Sequence, residues 1–319
     1  MNNTLVRIYQ EDMLPSSGLL HLRIGKNCNQ EKNESNINFF QSALDCEFFK
    51  ERETQKWWLV FFKNSPEQQI FCAEFMELPL LDNIQENQWR ETYAQKIRNR
   101  QNRKEITRLA FVNAESNQVT DMEISYASLG IRLSRAIKSD DYQHKSSHSE
   151  HVDGKGLSFI TCLEGQQYQF EYRILLMALA YAYLNVMESL SNKLAYASQI
   201  ANKNNDIKQL TSLYKRATEF NARFFFLLPV KHKNTSLVET WSNIKASLNI
   251  VQINSELIQK IDDIHYILDW QKTQKEQLDR DKKQEQDNQF NRKIAIIGTV
   301  IAFFGVLEFL LGLYEFLSS

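Results

Sequence analysis

Glycine and proline are scarce, with nine glycines and four prolines in 319 residues. Three of those glycines, Gly298, Gly305 and Gly312, fall near the C-terminal end, so few remain for a loop that cradles phosphate. GxGxxG, Walker A, HExxH and GxSxG sequences are all missing. The common nucleotide-dependent and hydrolytic machineries are therefore not expected, and neither is a cofactor. The four cysteines, Cys28, Cys46, Cys72 and Cys162, have no CxxC spacing. That pattern fits neither a disulfide framework nor a zinc site and suits a reducing compartment. A formal net charge of −1 excludes a surface coated in basic charge. Met1 to Tyr9 lacks the basic and then apolar order of a signal peptide, so none is expected.

What the chain does have is a long apolar tract near its C-terminus. From Ile294 to Leu317 the only charges are Glu308 and Glu315, and Ile294 to Leu307 carries none. About 20 apolar helical residues cross a bilayer core of roughly 30 Å, so this stretch is long enough to span with some tilt. Gly298, Gly305 and Gly312 recur every seven residues, and Ile301, Glu308 and Glu315 follow each by three. The two rows fall on neighbouring positions of one helical seam. Small residues let membrane helices approach closely, and a carboxylate in hydrocarbon needs protein or water beside it. The expectation is a face built for copies of itself, with Gly298, Thr299, Ile301, Gly305, Glu308, Gly312 and Glu315 at the pore or assembly seam. A plain lipid anchor, with Glu308 near the far interface, is the simpler alternative.

Lys282, Lys283, Arg292 and Lys293 precede the tract, and only Ser318 and Ser319 follow it. The positive-inside rule then keeps the body cytoplasmic and points the C-terminus out, as in a bacterial inner-membrane protein. Residues 1–168 read as a cytoplasmic α/β domain, 169–292 as a helical bundle and long stalk helix, and 293–319 as a transmembrane helix. The fold class is thus an α+β cytoplasmic domain, a long-helix stalk and one C-terminal transmembrane helix, assembled as a homo-oligomer.

Within the first domain, strand-length apolar runs occur at Leu5–Tyr9, Leu19–Ile24, Trp57–Phe62, Ile70–Phe75 and Leu157–Leu163, with weaker ones near Leu109–Val112 and Glu123–Tyr126. Asn38–Phe49 and Ile84–Arg103 read as helical, and Ser139–Gly156 as an exposed loop. Beyond Phe170 the period is helical: Tyr172–Lys203 is apolar on most sides, and Ile207–Leu228 stops at Pro229. Ser236-Leu237-Val238-Glu239 has the pattern of a capping box. No glycine or proline lies between Ser236 and Ile297, which predicts one helix of ~80 residues and ~120 Å into the apolar tract. Leu237, Trp241, Ile244, Leu248, Val251 and Ile258 form one stripe on it, and Ile250, Leu257 and Ile264 a second. Two stripes suit a helix that packs on its own domain and on a neighbour. Gln271–Gln289 is almost wholly polar, as a solvated stalk would be.

In layout, residues Tyr172 to Phe316 resemble the CorA family of divalent-cation channels. Lys293-Ile294-Ala295-Ile296-Ile297-Gly298-Thr299 looks like the start of that family's pore-lining helix. Leu311-Gly312-Leu313-Tyr314-Glu315-Phe316 sits where the helix ends in an aromatic residue and Gly-Met-Asn, the motif that caps the pore and selects hydrated magnesium. Here Glu315-Phe316 replaces Gly-Met-Asn, and no second transmembrane helix follows. The resemblance implies a cone of stalk helices and a pore-forming assembly, but it does not extend to magnesium selection.

The densest basic segment runs from Trp89 to Arg108. Its Arg90, Lys96, Arg98, Arg100, Arg103, Lys104 and Arg108 are candidate ligands for an anionic nucleotide or oligonucleotide, through charge-assisted hydrogen bonds. A solvated helix face paired with acidic neighbours is the plainer reading. His144, His148 and His151 lie among Asp140, Asp141, Glu150 and Asp153, but the surrounding serines suit a flexible loop, and a metal is left open.

The reading from sequence is a non-enzymatic, ligand- or partner-gated, single-span effector. It forms a homo-oligomeric ion-conducting pore, in the layout of membrane-depolarising antiphage defence. Its expected partners are itself, membrane lipid, an anionic regulator and a cytoplasmic protein. A tail-anchored scaffold without conductance and a divergent CorA-like ion transporter are the alternatives.

Overall fold

A computed structural model describes residues 4–24, 37–52, 54–77, 104–113, 149–154, 156–161, 165–204 and 207–318. The chain forms two compact units, Met1–Ile261 and Asp262–Ser319. In the first, eight strands make one sheet: β1 (Thr4–Glu11), β2 (Leu19–His21), β3 (Glu47–Glu51), β4 (Lys56–Phe61), β5 (Gln69–Glu77), β6 (Glu105–Asn113), β7 (Ser149–Asp153) and β8 (Gly156–Thr161). Their order is β2-β3-β4-β5-β1-β6-β8-β7. Every pairing is antiparallel except β6 with β8. Four helices follow: α1 (Gln167–Asn204), α2 (Lys208–Arg223), α3 (Thr235–Ser247) and α4 (Ile250–Ser318).

The strand alternation decides where the helices pack. Val6, Ile8, Leu59, Phe61, Phe71, Leu109, Phe111, Leu157 and Phe159 share one face by register and are all buried. Phe170 of α1 sits 5.5 Å from Phe111 and 6.2 Å from Phe159 between ring centroids. Phe62, just past β4, takes a left-handed backbone (φ 56°) and packs against Tyr183, Phe220 and Phe224. Buried rings of this size contribute about 1.5–3 kcal/mol each through area removed from water. Their polar handles are satisfied: Tyr183 donates to the Phe224 carbonyl (2.8 Å) and Trp241 Nε1 to that of Leu227 (3.0 Å). Burial pushes the Tyr183 phenol well above its usual range.

The opposite face is more polar. Lys56, Glu74, Arg7 and Arg108 lie in one cross-strand row, and Glu105 forms ion pairs with both Arg7 and Arg108. Directly opposed like charges destabilise a sheet, and the shared carboxylate offsets that repulsion. The row ends at Gly156, in register with Arg108. A Cβ there would overlap the Arg108 carbonyl oxygen, so β6 and β8 approach as only glycine permits. Gly156→Ala is expected to lower stability by roughly 1–3 kcal/mol through overpacking, read as the midpoint of urea unfolding. An unchanged midpoint would mean the strands have room to part.

Several expectations from sequence need correction. Asn38–Phe49 is not a helix. It holds a short 3-10 turn, Ser42–Leu44, closed by left-handed Asp45, and then enters β3, where Phe48 pairs with Leu59 and Phe49 with Trp58. Sheet pairing overrides local propensity there. Strand β2 is shorter than Leu19–Ile24. The part of Ser139–Gly156 that is described forms β7 instead of a loop, while residues 139–148, Ile84–Arg103 and Glu123–Tyr126 lie outside the described residues. The helix expected to run unbroken from Ser236 is interrupted at Leu248–Asn249, where Asn249 takes φ 52°. Asn tolerates the left-handed region better than most residues, so the break needs no glycine. Nor does a capping box form. Helix α3 has Asn234 at its N-cap with no side-chain cap bond, and the Ser236 hydroxyl accepts from Arg173 instead.

The break also separates the two stripes. Leu237, Trp241 and Ile244 are buried on α3 and Leu248 at its C-cap, whereas Val251 and Ile258 are exposed. On α4 the buried set is Ile250, Asn254, Leu257, Ile261 and Ile264, at the alternating four- and three-residue spacing of a packed helical face.

Near the start of α1, burial raises the Glu171 carboxyl above its ordinary value, against a hydrogen bond from Gln167 and the charge of Lys50. A carboxyl whose folded pKa is raised binds its proton more tightly in the folded state. Its ionisation therefore costs stability above the carboxylate range, and that cost disappears as pH falls below the unfolded value. Glu171→Gln is expected to raise the thermal midpoint at pH 7 and to leave it unchanged at pH 3. Equal effects at both values would assign the change to packing instead of charge.

Candidate functional site

Helix α4 carries the strongest functional feature. From Lys272 to Leu307 every residue is exposed. The polar part holds only exposed ion pairs, Lys272–Glu276 and Arg280–Glu276 at 4.0 and 3.8 Å, which contribute little to stability. The apolar part exposes Ile294, Ile296, Ile297, Val300, Ile301, Phe303, Phe304, Val306, Leu307 and Leu310. A helix that is apolar on all sides needs a core or a membrane around it. Helix α1 is also long and apolar enough to cross a bilayer, but 67% of its apolar window is buried in the sheet domain, against 0% for α4.

At the proposed seam, a Cβ on Gly298 or Gly305 would meet nothing, so both positions are open to an approaching surface. The Thr299 hydroxyl donates to the Ala295 carbonyl of its own helix (2.8 Å). Ile301 is exposed on the same face. Glu308, Gly312 and Glu315 continue the helix, and the arrangement of their side chains lies outside the described residues.

Of the basic cluster, Arg90, Lys96, Arg98, Arg100 and Arg103 lie outside the described residues. Lys104 is exposed at the entry to β6, with Nζ 3.4 Å from the Gln10 amide oxygen. Arg108 is on the polar sheet face, held by Glu105. His144 and His148 are likewise outside the described residues. Their neighbours have structural duties: Asp153 Oδ1 accepts from the Gly156 amide (2.9 Å), and Glu150 faces Arg173. Among the described residues, no group of three or more His, Cys, Asp or Glu could hold a metal ion.

A junction that sequence reasoning missed centres on Arg173, whose side chain is 0% exposed. Its Nε donates to Glu150 Oε1 on β7 (2.6 Å), one Nη to the Gln169 carbonyl and side chain, and the other to Ser236 Oγ on α3 (2.9 Å). Glu150 Oε2 accepts from Thr240 of α3 (2.7 Å), and the guanidinium lies 5.3 Å from the Phe159 ring centroid. Ser247, at the end of α3, donates to the Val152 carbonyl (3.2 Å). One buried ion pair thus ties the edge strand, the core helix and the helix preceding α4. Nothing local in the sequence announces it, because Glu150 sits in a polar stretch and its partners are 23 and 90 residues away.

The chain matches no known family, no curated protein and no solved structure. Its class is therefore given by its own geometry: an α+β domain with a mixed sheet, followed by long C-terminal helices, two of them apolar enough to span a membrane.

Proposed function

We propose that the protein is a single-span membrane effector whose α4 helices assemble into a homo-oligomeric, ion-conducting pore controlled by the sheet domain. The observation that carries the reading is the charge-free segment Ile294–Leu307, apolar on all sides and without burial. Assembly is supported by the polar half of α4. Most helical stability in proteins comes from packing, and a helical segment exposed from Lys272 to Leu307 would gain it from other copies. Gly298 and Gly305 offer the close approach, and Glu308 is the proposed charged lining, where a ring of carboxylates would favour cations. The basic flank at Arg292 and Lys293 favours a body on the cytoplasmic side of a bacterial inner membrane. The regulator is an anionic nucleotide or oligonucleotide, with Arg98, Arg100, Arg103 and Lys104 as its proposed contacts, or a cytoplasmic protein. It acts by binding the closed and open states unequally. No catalytic step is assigned. The biological setting would be defence by membrane depolarisation, on analogy of layout alone. A divergent CorA-like transporter would share the assembly of stalk helices.

A specific observation favours a second reading, a tail-anchored scaffold without conductance: the Thr299 hydroxyl gives its proton to the Ala295 carbonyl of its own helix. The two readings separate in planar bilayers. Purified wild type is expected to give discrete currents, and Glu308→Ala to change their amplitude or ion preference. Silence from confirmed oligomers, with and without nucleotides, would leave the scaffold.

A further inference from the structure

We infer that edge strand β7 is the mechanical link between the sheet and the helix that leads into α4, and that the Arg173–Glu150 pair is its coupling element. The inference deepens the proposed function by naming how a change in the sheet domain reaches the membrane helix.

The link begins at the polar sheet face. Arg108 on β6 is in register with Gly156 on β8, where the backbones are too close for a Cβ. Contact without slack passes displacement on, because packed interiors shift between discrete arrangements instead of absorbing strain. Strand β8 pairs with β7 through a tight turn fixed by the Asp153–Gly156 bond. From β7, three side-chain bonds reach α3 directly or through one residue: Glu150 to Thr240, Glu150 through Arg173 to Ser236, and the Val152 carbonyl to Ser247. They meet α3 at its first turn, its middle and its last residue, so α3 follows β7 as a body. Three residues later, past left-handed Asn249, α4 begins. Arg173 belongs to α1, which packs on the sheet through Phe170 and gives the link a fixed reference.

A buried ion pair is a poor device for stability alone, since desolvation of both charges offsets most of their attraction. It is a good device for specifying one arrangement of three elements, because a displacement that parts two buried charges loses their attraction without returning either to water. Spatial continuity by itself does not establish coupling, so the test must read coupling directly.

The experiment is hydrogen exchange by mass spectrometry on the full-length protein in detergent, comparing wild type with Ser236→Ala/Thr240→Val. This double variant cuts two of the three bonds to α3 while leaving Arg173 on Glu150. Exchange is expected to rise at least tenfold in Thr235–Ser247 and in Ile250–Ile261, with β8 and α1 unchanged. Unaltered exchange in α3, or an equal rise in every element, would overturn the inference. If that variant does not fold, Ser236→Ala/Ser247→Ala removes two less buried hydroxyls and is held to the same criterion. The readout needs no current, so a wild type that fails to conduct would end the pore reading and leave this result standing.

Discussion

Arg173→Leu is expected to destabilise the sheet domain by roughly 3–5 kcal/mol, the cost of leaving one member of a buried ion pair without its partner. Glu150 is only 10% exposed at its side chain, so its carboxylate cannot recover the lost interaction from water, and the neutral Thr240 hydroxyl does not replace a guanidinium's charge. Against a typical total stability of about 5–15 kcal/mol, this is among the largest effects available to one substitution. The double variant Arg173→Leu/Glu150→Leu separates the charge from the packing. With both charges removed, no unpaired ion remains, and most of the lost stability should return. The cycle of single and double variants, read in urea unfolding, is expected to give a large coupling energy between the two positions. A double variant as unstable as the sum of the singles would show that Arg173 acts through its contacts with Phe159 and Gln169 and not through the pair.

The pair also marks where sequence reasoning ended. Strands such as β4 and β5 are legible because aromatic and β-branched residues crowd into short runs, and α1 is legible because its apolar residues persist through ten turns. The apolar part of α4 is legible for the plainest reason, a long absence of charge. The failures share a cause. Nothing local distinguishes Phe48-Phe49 in a strand from the same residues in a helix, and their pairing with Leu59 and Trp58 comes from elsewhere in the chain. The break at Asn249 was hidden because glycine and proline, the usual signals, are not what produces it. The second stripe of α4 was visible, but which stripe packs depends on the turn at Asn249. Likewise the charged row on the sheet joins residues from four strands, and only the register reveals it. For the candidate site, Gly298, Thr299, Ile301 and Gly305 fall on the exposed apolar helix, whereas five of the seven basic-cluster residues lie outside the described residues.

The second large effect concerns that apolar helix. Val300→Arg/Phe304→Arg is expected to move the protein from the membrane fraction to the soluble one. The segment Ile294–Leu307 contains nine large apolar side chains, each contributing about −0.3 to −0.6 kcal/mol to insertion, so together on the order of −3 to −5 kcal/mol. Each arginine near the centre costs about 2.5–3.5 kcal/mol on the same scale, and each substitution also removes one favourable residue. The sum changes sign. Thr299 and the two glycines add little in either direction, and the apolar residues from Phe309 to Leu317 roughly offset the cost of Glu308, so the margin for two charges is small. The sheet domain does not depend on these positions, since both side chains are exposed, and its thermal midpoint should be unchanged. Resistance to carbonate extraction is the measurement. Wild type should remain with the membrane and the variant should not. Extraction of both alike would remove the membrane helix from the account and, with it, both the pore and the anchored scaffold.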